Sequence, residues 1–238
     1  MQGLVENTAK LFEAVSKLKC IQDYTLIGGT ALALQINKRL SEDLDFCRWS
    51  TNLRTDKPTV DWPAIEKELK TIGNIDSRDL LDFNHVNFIV NGVKISFFTK
   101  QDNLSPVNKP VEILNNLKAA DLDAIGAMKV EVLLRRSEWR DYYDIYSLLK
   151  EGKSIKQMVA AAGNYSNHKL KTRDALNFLS NSNHYKMEKN FHLLKPAYNI
   201  GPKEVEELIK SKISKEYFIN NVSEDQSKEN KNKRGFSM

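Results

Sequence analysis

The spacing of apolar residues along the chain changes character about halfway. Leu4, Ala9, Leu11, Phe12, Val15 and Leu18 return at roughly helical intervals, which predicts a helix over 5–18. Tyr24-Thr25-Leu26-Ile27 is β-prone and stops at a Gly-Gly pair, so a short strand runs into a tight turn there. Residues 30–37 are good helix formers, with Thr30 in the N-cap position. Leu44-Asp45-Phe46 reads as a second strand. Residues 48–63 are polar and irregular, and Asp61 and Pro63 start a helix over 62–72.

The clearest local signal follows. Two alternating runs, His85–Val90 and Val93–Phe98, flank Asn91-Gly92, the pair that a two-residue type I′ turn prefers. From there on the pattern is helical: 121–136, 138–150, 154–162, 169–180 and 203–216 each carry helical spacing. The expected fold class is therefore α/β in the α+β sense, a small mixed sheet with packed helices followed by a helical C-terminal part. The expected boundaries are 1–118 for the mixed part and 119–220 for the helical part. Residues 221–238, polar and rich in Lys, Glu and Asn, are expected to form a disordered tail.

Composition narrows this only modestly. Hydrophobic residues make up 41% of the 238, enough to build a core. No apolar run reaches the roughly 18–20 residues of a membrane span, and the first residues show no secretory pattern. Two cysteines without a CxxC spacing exclude a disulfide framework and fit a reducing, cytoplasmic setting. A net charge of +5 is compatible with a polyanionic partner. The four histidines have no paired ligand spacing, and no Gly-x-Ser-x-Gly or Walker-type motif occurs.

The candidate chemistry sits in two places. Asp43 and Asp45, two apart on an expected strand, project from one face and can grip a hard cation, while Leu44 and Phe46 turn to the core. Upstream, Gly28, Gly29 and the helix starting at Thr30 offer free N–H groups and a positive helix end to a phosphate. Asp43 follows Thr30 by thirteen positions, room for a two-turn helix and a return that sets the two strands side by side. Phosphate grip beside metal grip is what nucleotidyl transfer requires. Between them, Arg39 and Ser41 are further phosphate candidates, with an ion pair from Arg39 to Glu42 or Asp43 as the competing reading. The second place is Lys129 and Arg136, nearly two helical turns apart, followed by Asp141 and Asp144 at i, i+3. These acids serve either the site or interhelical salt bridges.

Taken together, Ile27-Gly28-Gly29-Thr30-Ala31-Leu32 followed by Arg39, Ser41 and Asp43-Leu44-Asp45-Phe46 resembles the signature of the AbiEii-type nucleotidyltransferase toxins, in the polymerase-beta-like superfamily. Lys129, Arg136, Arg140-Asp141 and Asp144 resemble that family's second signature. The resemblance implies Mg²⁺ or Mn²⁺ held by Asp43 and Asp45, a nucleoside triphosphate substrate, and phosphate binding by Gly29 and Thr30. It implies that Lys129 meets the triphosphate and that Asp141 or Asp144 positions or deprotonates an acceptor hydroxyl. It also implies a toxin role beside a cognate antitoxin, with tRNA as an acceptor. An RNA track would draw on Lys153, Lys156, Lys169, Lys171, Arg173, Lys186 and Lys189; their plain reading is solvated lysine. One departure stands out: Ser96 occupies the strand position where relatives in the superfamily often carry a third carboxylate. Two other readings remain open: a small-molecule, antibiotic-type nucleotidyltransferase, and a non-catalytic protein that has kept the fold.

Overall fold

The computed structural model describes residues 1–50, 59–100 and 105–219. Its centre is a seven-stranded mixed sheet. Helix α1 (Glu6–Ser16) leads to β1 (Thr25–Ile27), α2 (Gly28–Ile36) and β2 (Leu44–Trp49). Helix α3 (Trp62–Leu69) precedes β3 (Ile75–Asp82), β4 (His85–Val90) and β5 (Val93–Lys100). Then come β6 (Val111–Leu114) and β7 (Leu117–Ala119). The strand order is β3-β4-β5-β2-β1-β7-β6. Strands β1 and β2 are antiparallel, while β2 pairs with β5, and β1 with β7, in parallel.

The helical part consists of α4 (Leu122–Val132), α5 (Trp139–Lys150), α6 (Ile155–Tyr165), α7 (Thr172–Leu179) and α8 (Pro202–Ile213), the last running into a short π-helical turn, Ser214–Ile219. Asp121 caps α4 by accepting from the N–H groups of Asp123 and Ala124. Asp61 caps α3 in the same way through Ala64, with Pro63 in the first turn, as the sequence predicted. The expected helix over 121–136 stops at Val132, and the chain turns through 133–136 before α5. The expected tail over 221–238 lies outside the described residues.

Alternation divides the sheet into a buried and an open face. Val86, Phe88, Ile95, Phe97, Leu44 and Phe46 all fall on one side and are fully buried. Phe97 is their centre: it stacks on Phe46 at 5.2 Å and meets Tyr24 and Phe88 edge-on at 5.3 and 6.4 Å. Their cluster takes in Phe12 and Val15 of α1 and Ile65 and Leu69 of α3, and continues into Ile125, Tyr142 and Leu148 of the helical part. On the other face lie Asp45, Ser96, Asn87 and Asp79, register partners in a row across β2, β5, β4 and β3.

The hairpin is built as expected. Asn91 and Gly92 both take positive φ, 48° and 76°, the conformation of a type I′ turn, and Val90 pairs with Val93. Strand β3, like β6 and β7, is an element that sequence patterning missed. Its Ile-Asp-Ser-Arg-Asp-Leu-Leu-Asp run has no apolar alternation, because at the sheet edge every residue after Ile75 is exposed. Arg78 ties it down by lying over the Trp62 ring at 4.3 Å and pairing with Glu66. Replacing Phe97 with Ala should therefore destabilise the protein by about 3–5 kcal/mol. Leu81→Ala on the exposed strand should change stability by less than about 0.5 kcal/mol. Denaturant midpoints of the two variants would check this contrast.

Candidate active site

The site forms where β1 passes into α2. Ile27 is the last residue of β1, and α2 starts directly at Gly28, whose φ of +72° favours glycine. Thr30 is therefore not the N-cap; Ile27 is, and Thr30 lies inside the first turn. Being buried there, its hydroxyl donates to the Asp43 carbonyl oxygen and shares a 2.8 Å hydrogen bond with the Ser41 hydroxyl. Thr30 and Ser41 thus pin the chain just ahead of the acidic pair. Ser41 is held from the other side too, its N–H donating to Gly3 and its carbonyl accepting from Val5.

Both glycines are fitted to what approaches them. A Cβ on Gly28 would come within 3.2 Å of an Asp45 carboxylate oxygen, and one on Gly29 would collide with the Arg39 guanidinium at 2.5 Å. The start of α2 therefore sits against the acid on one side and the arginine on the other. Its first-turn N–H groups have no acceptors within the helix, and the helix end carries partial positive charge.

Asp45 lies on β2 opposite Ile27 and beside Ser96. Asp43 lies one residue before the strand begins, not on it as expected. Burial raises the Asp43 pKa above the usual carboxylate range, the Asp45 charge adds to this, and Lys94 opposes it. Asp43, which resists ionising beside the Asp45 carboxylate, marks a cation site in charge terms. Among the described residues no three His, Cys, Asp or Glu side chains converge on a point. A pair of carboxylates suits Mg²⁺, which takes one or two from the protein and fills its remaining positions with water and phosphate oxygens. Ser96 adds an orphan: its hydroxyl is buried and has no hydrogen-bond partner.

The second group of residues closes into one buried chain of alternating charge. Arg39 grips Asp144 with two hydrogen bonds, 2.7 Å from Nε and 2.8 Å from Nη2. Lys129 sits 2.7 Å from Asp144 and 2.8 Å from Asp141. Arg136 then reaches Asp141 at 2.9 and 3.2 Å. Asp141 and Asp144 are 0% and 1% exposed. Burial alone would raise their pKa values; the cations around each outweigh it and hold both below the usual carboxylate range. Burial likewise opposes the Lys129 charge, and Asp141 and Asp144 more than offset it. At the outer end Arg136, 45% exposed, also pairs with Glu138 at 3.3 Å.

These residues and the sheet wall a cavity of about 360 Å³ between the open sheet face and α4. Gly28, Asp45, Lys129, Arg136 and Asp141 all line it. So do His85, Lys94, Ser96, Phe98 and Lys100 from the hairpin and Arg135 from the turn after α4. Of these, only Ser96 was singled out as a site residue in the sequence, although the period-two alternation of the hairpin places its five on one face. The expected competing partners of Arg39, Glu42 or Asp43, are replaced by Asp144. Of the RNA-track candidates, Lys153 pairs with Asp123 and Lys156 lies over the Tyr217 ring, whereas Lys169, Lys171 and Arg173 are exposed at the start of α7.

Comparison with known proteins agrees with this geometry. An uncharacterized protein of Aquifex aeolicus (strain VF5) is 28% identical over 163 residues, covering 66% of this chain and 73% of the relative. A family model described as the nucleotidyl transferase AbiEii toxin of a type IV toxin–antitoxin system matches residues 10–208. That span contains the glycine turn, the acidic pair and the buried ion network. The chain therefore belongs to the AbiEii nucleotidyl transferase toxin family.

Proposed function

We propose that this transferase moves a nucleoside monophosphate from a nucleoside triphosphate to a hydroxyl of RNA, with tRNA as the acceptor and Mg²⁺ or Mn²⁺ bound by Asp43 and Asp45. The observation that carries the reading is the meeting of the α2 N-terminus with Asp45 beside a basic cavity. In it the cell would use the protein as the cytoplasmic toxin of a toxin–antitoxin pair. Residues 1–118 would supply the transferase core, 119–220 the helical part that completes the site.

Roles follow from partners. The N–H groups of Gly28 and Gly29 receive phosphate oxygens at the helix end. A divalent cation between Asp43 and Asp45 supplies positive charge to phosphate oxygens as negative charge builds on them. An ammonium has three N–H donors; Lys129 spends two on Asp141 and Asp144 and keeps one for the triphosphate. Arg136 and Lys94 face the same cavity and add charge for the β- and γ-phosphates. Asp141 and Asp144, buried and bound by cations, act as positioning groups for Lys129 and not as proton acceptors. Arg39 holds Asp144 and seals the underside of the Gly29 turn. Thr30 and Ser41 act through the backbone ahead of Asp43.

Three outcomes are expected. Incubated with labelled nucleoside triphosphates, Mg²⁺ and total tRNA, the protein should transfer label to RNA, and the Asp43→Ala, Asp45→Ala double variant should not. Labelling of neither would remove tRNA as the acceptor; if a triphosphate with Mg²⁺ also left the melting temperature unchanged, the protein would be a retired enzyme, the reading that Ser96 favours.

The second outcome concerns pH. A carboxyl whose pKa is raised on folding contributes stability below its unfolded value, and that stability is lost as pH rises through the folded value. Asp43→Asn should therefore melt about 1–3 °C above the parent at pH 7.5 without metal, with the gap closing as pH falls toward 4. Mg²⁺ should raise the melting temperature of the parent only. Third, Asp144→Asn leaves the buried Arg39 without its carboxylate and Lys129 with Asp141 alone, and should cost about 3–5 kcal/mol in denaturant unfolding.

A further inference from the structure

Transfer to a hydroxyl needs a group to take its proton, and the carboxylates near the cavity are unsuited to it. Asp43 and Asp45 are committed to the cation. Asp141 is enclosed by Lys129 and Arg136. Glu131 is held by Arg135 through both of its oxygens, one of them at 2.6 Å. Ser96 stands in register with Asp45 where a further acid would serve. Among the described residues, His85 is the one imidazole in the cavity wall, and no ion pair holds it.

The geometry points to His85 as the group that accepts the proton of the acceptor hydroxyl, oriented by Asn87; this rests on the transferase reading above. His85 lies on β4, two strands from Asp45, with the small side chain of Ser96 on the strand between them. Strands are about 4.8 Å apart and residues about 3.3 Å apart along each, and His85 stands two residues from the row of Asp45, Ser96 and Asn87, so the backbones of Asp45 and His85 are about 12 Å apart. A phosphate on the acid side and a hydroxyl on the imidazole side fill that gap. The ring is fixed twice. Its Nε2 lies 3.1 Å from the Asn87 Oδ1, and its face meets the Phe98 ring at 5.6 Å. An amide oxygen only accepts hydrogen bonds, so Nε2 carries the ring proton and Nδ1 keeps its lone pair.

The step balances. The acceptor oxygen bonds the α-phosphorus as its proton passes to Nδ1. The bond from that phosphorus to the bridging oxygen breaks, and pyrophosphate leaves with the electron pair. Several charged groups bear on the ring. Asp82 of β3 is its register partner; on β5 Lys100 stands two residues from its partner Phe98, and Lys94 four residues the other way. Arg135 and Arg136 of the turn after α4, Tyr165 of α6 and Asp45 of β2 share the cavity wall.

The test compares the parent with His85→Gln by pyrophosphate release from nucleoside triphosphate and Mg²⁺, with total tRNA and with water as the only acceptor. The variant should lose about 10²–10⁴-fold in kcat, as loss of a proton acceptor does. It should keep the nucleotide-induced rise in melting temperature. The parent's kcat should fall on the acid side of neutrality, and this limb should be missing from the residual activity of the variant. Long-range ¹⁵N–¹H spectra of the parent, assigned by the signal that His85→Gln removes, should show the Nε2–H form. A His85→Gln protein with parental kcat, an unchanged acid limb, or an Nδ1–H ring in the parent would each overturn the inference alone. A parent that releases no pyrophosphate under any of these conditions would overturn the transferase reading together with it.

Discussion

The Arg39–Asp144 pair is the contact on which the site depends. It joins residues 105 apart in sequence, one from the loop between α2 and β2, the other from α5, and both are buried. A buried ion pair contributes little net stability, because desolvation offsets the Coulomb gain. What it does enforce is geometry. The guanidinium is planar and bidentate, so Asp144 can sit in one place only. Asp144 then fixes Lys129, Lys129 fixes Asp141, and Asp141 fixes Arg136 at the cavity wall. The helical part is thereby keyed to the start of α2, where Gly29 leaves the space that the guanidinium occupies.

The acidic pair is held by the opposite logic. Asp43 is the one carboxylate of the site whose pKa is raised, and its surroundings do little to relieve it. Rigid backbone contacts keep it in place instead: Thr30 on its carbonyl, and Ser41 bonded to the N-terminal segment at Gly3 and Val5. An unrelieved charge fixed by a neutral framework is poised to take up a cation. The network beside it, satisfied internally, has little charge left to compete for that cation. The two halves of the site thus divide the work. One stays electrostatically incomplete, and the other is complete, its outer cation Arg136 paired with both Asp141 and Glu138.

Legibility from the sequence followed the range of the interaction. The hairpin was readable because Asn91-Gly92 determines both turn type and register locally, and that register already places His85, Asn87, Lys94, Ser96 and Phe98 on one face. The Gly-Gly turn and the spacing to Asp43 predicted that β1 and β2 would lie side by side, as they do. Strand β3 was invisible because an exposed edge strand owes its conformation to its neighbour and not to its own apolar pattern. Thr30 looked like a cap because the glycines before it looked like a turn; the glycine at positive φ lets the helix start two residues earlier. The pairing of Arg39 with Asp144 could not be read at all, since no local rule selects among distant carboxylates.

His85 marks the limit of motif reading most clearly. Tested for metal-ligand spacing, it matches nothing, and motif reading passes it over. Its place is defined by exclusion in three dimensions: the acids around the cavity are each occupied by a cation or a cation site, and Ser96 withdraws the one in register with Asp45. Such an assignment needs the partner of every other ionisable group on the wall. Removing carboxylate from β5 therefore does more than weaken a metal grip. It leaves a short side chain at the centre of the open face, and that space is what brings an imidazole one strand further out within reach of the same reaction.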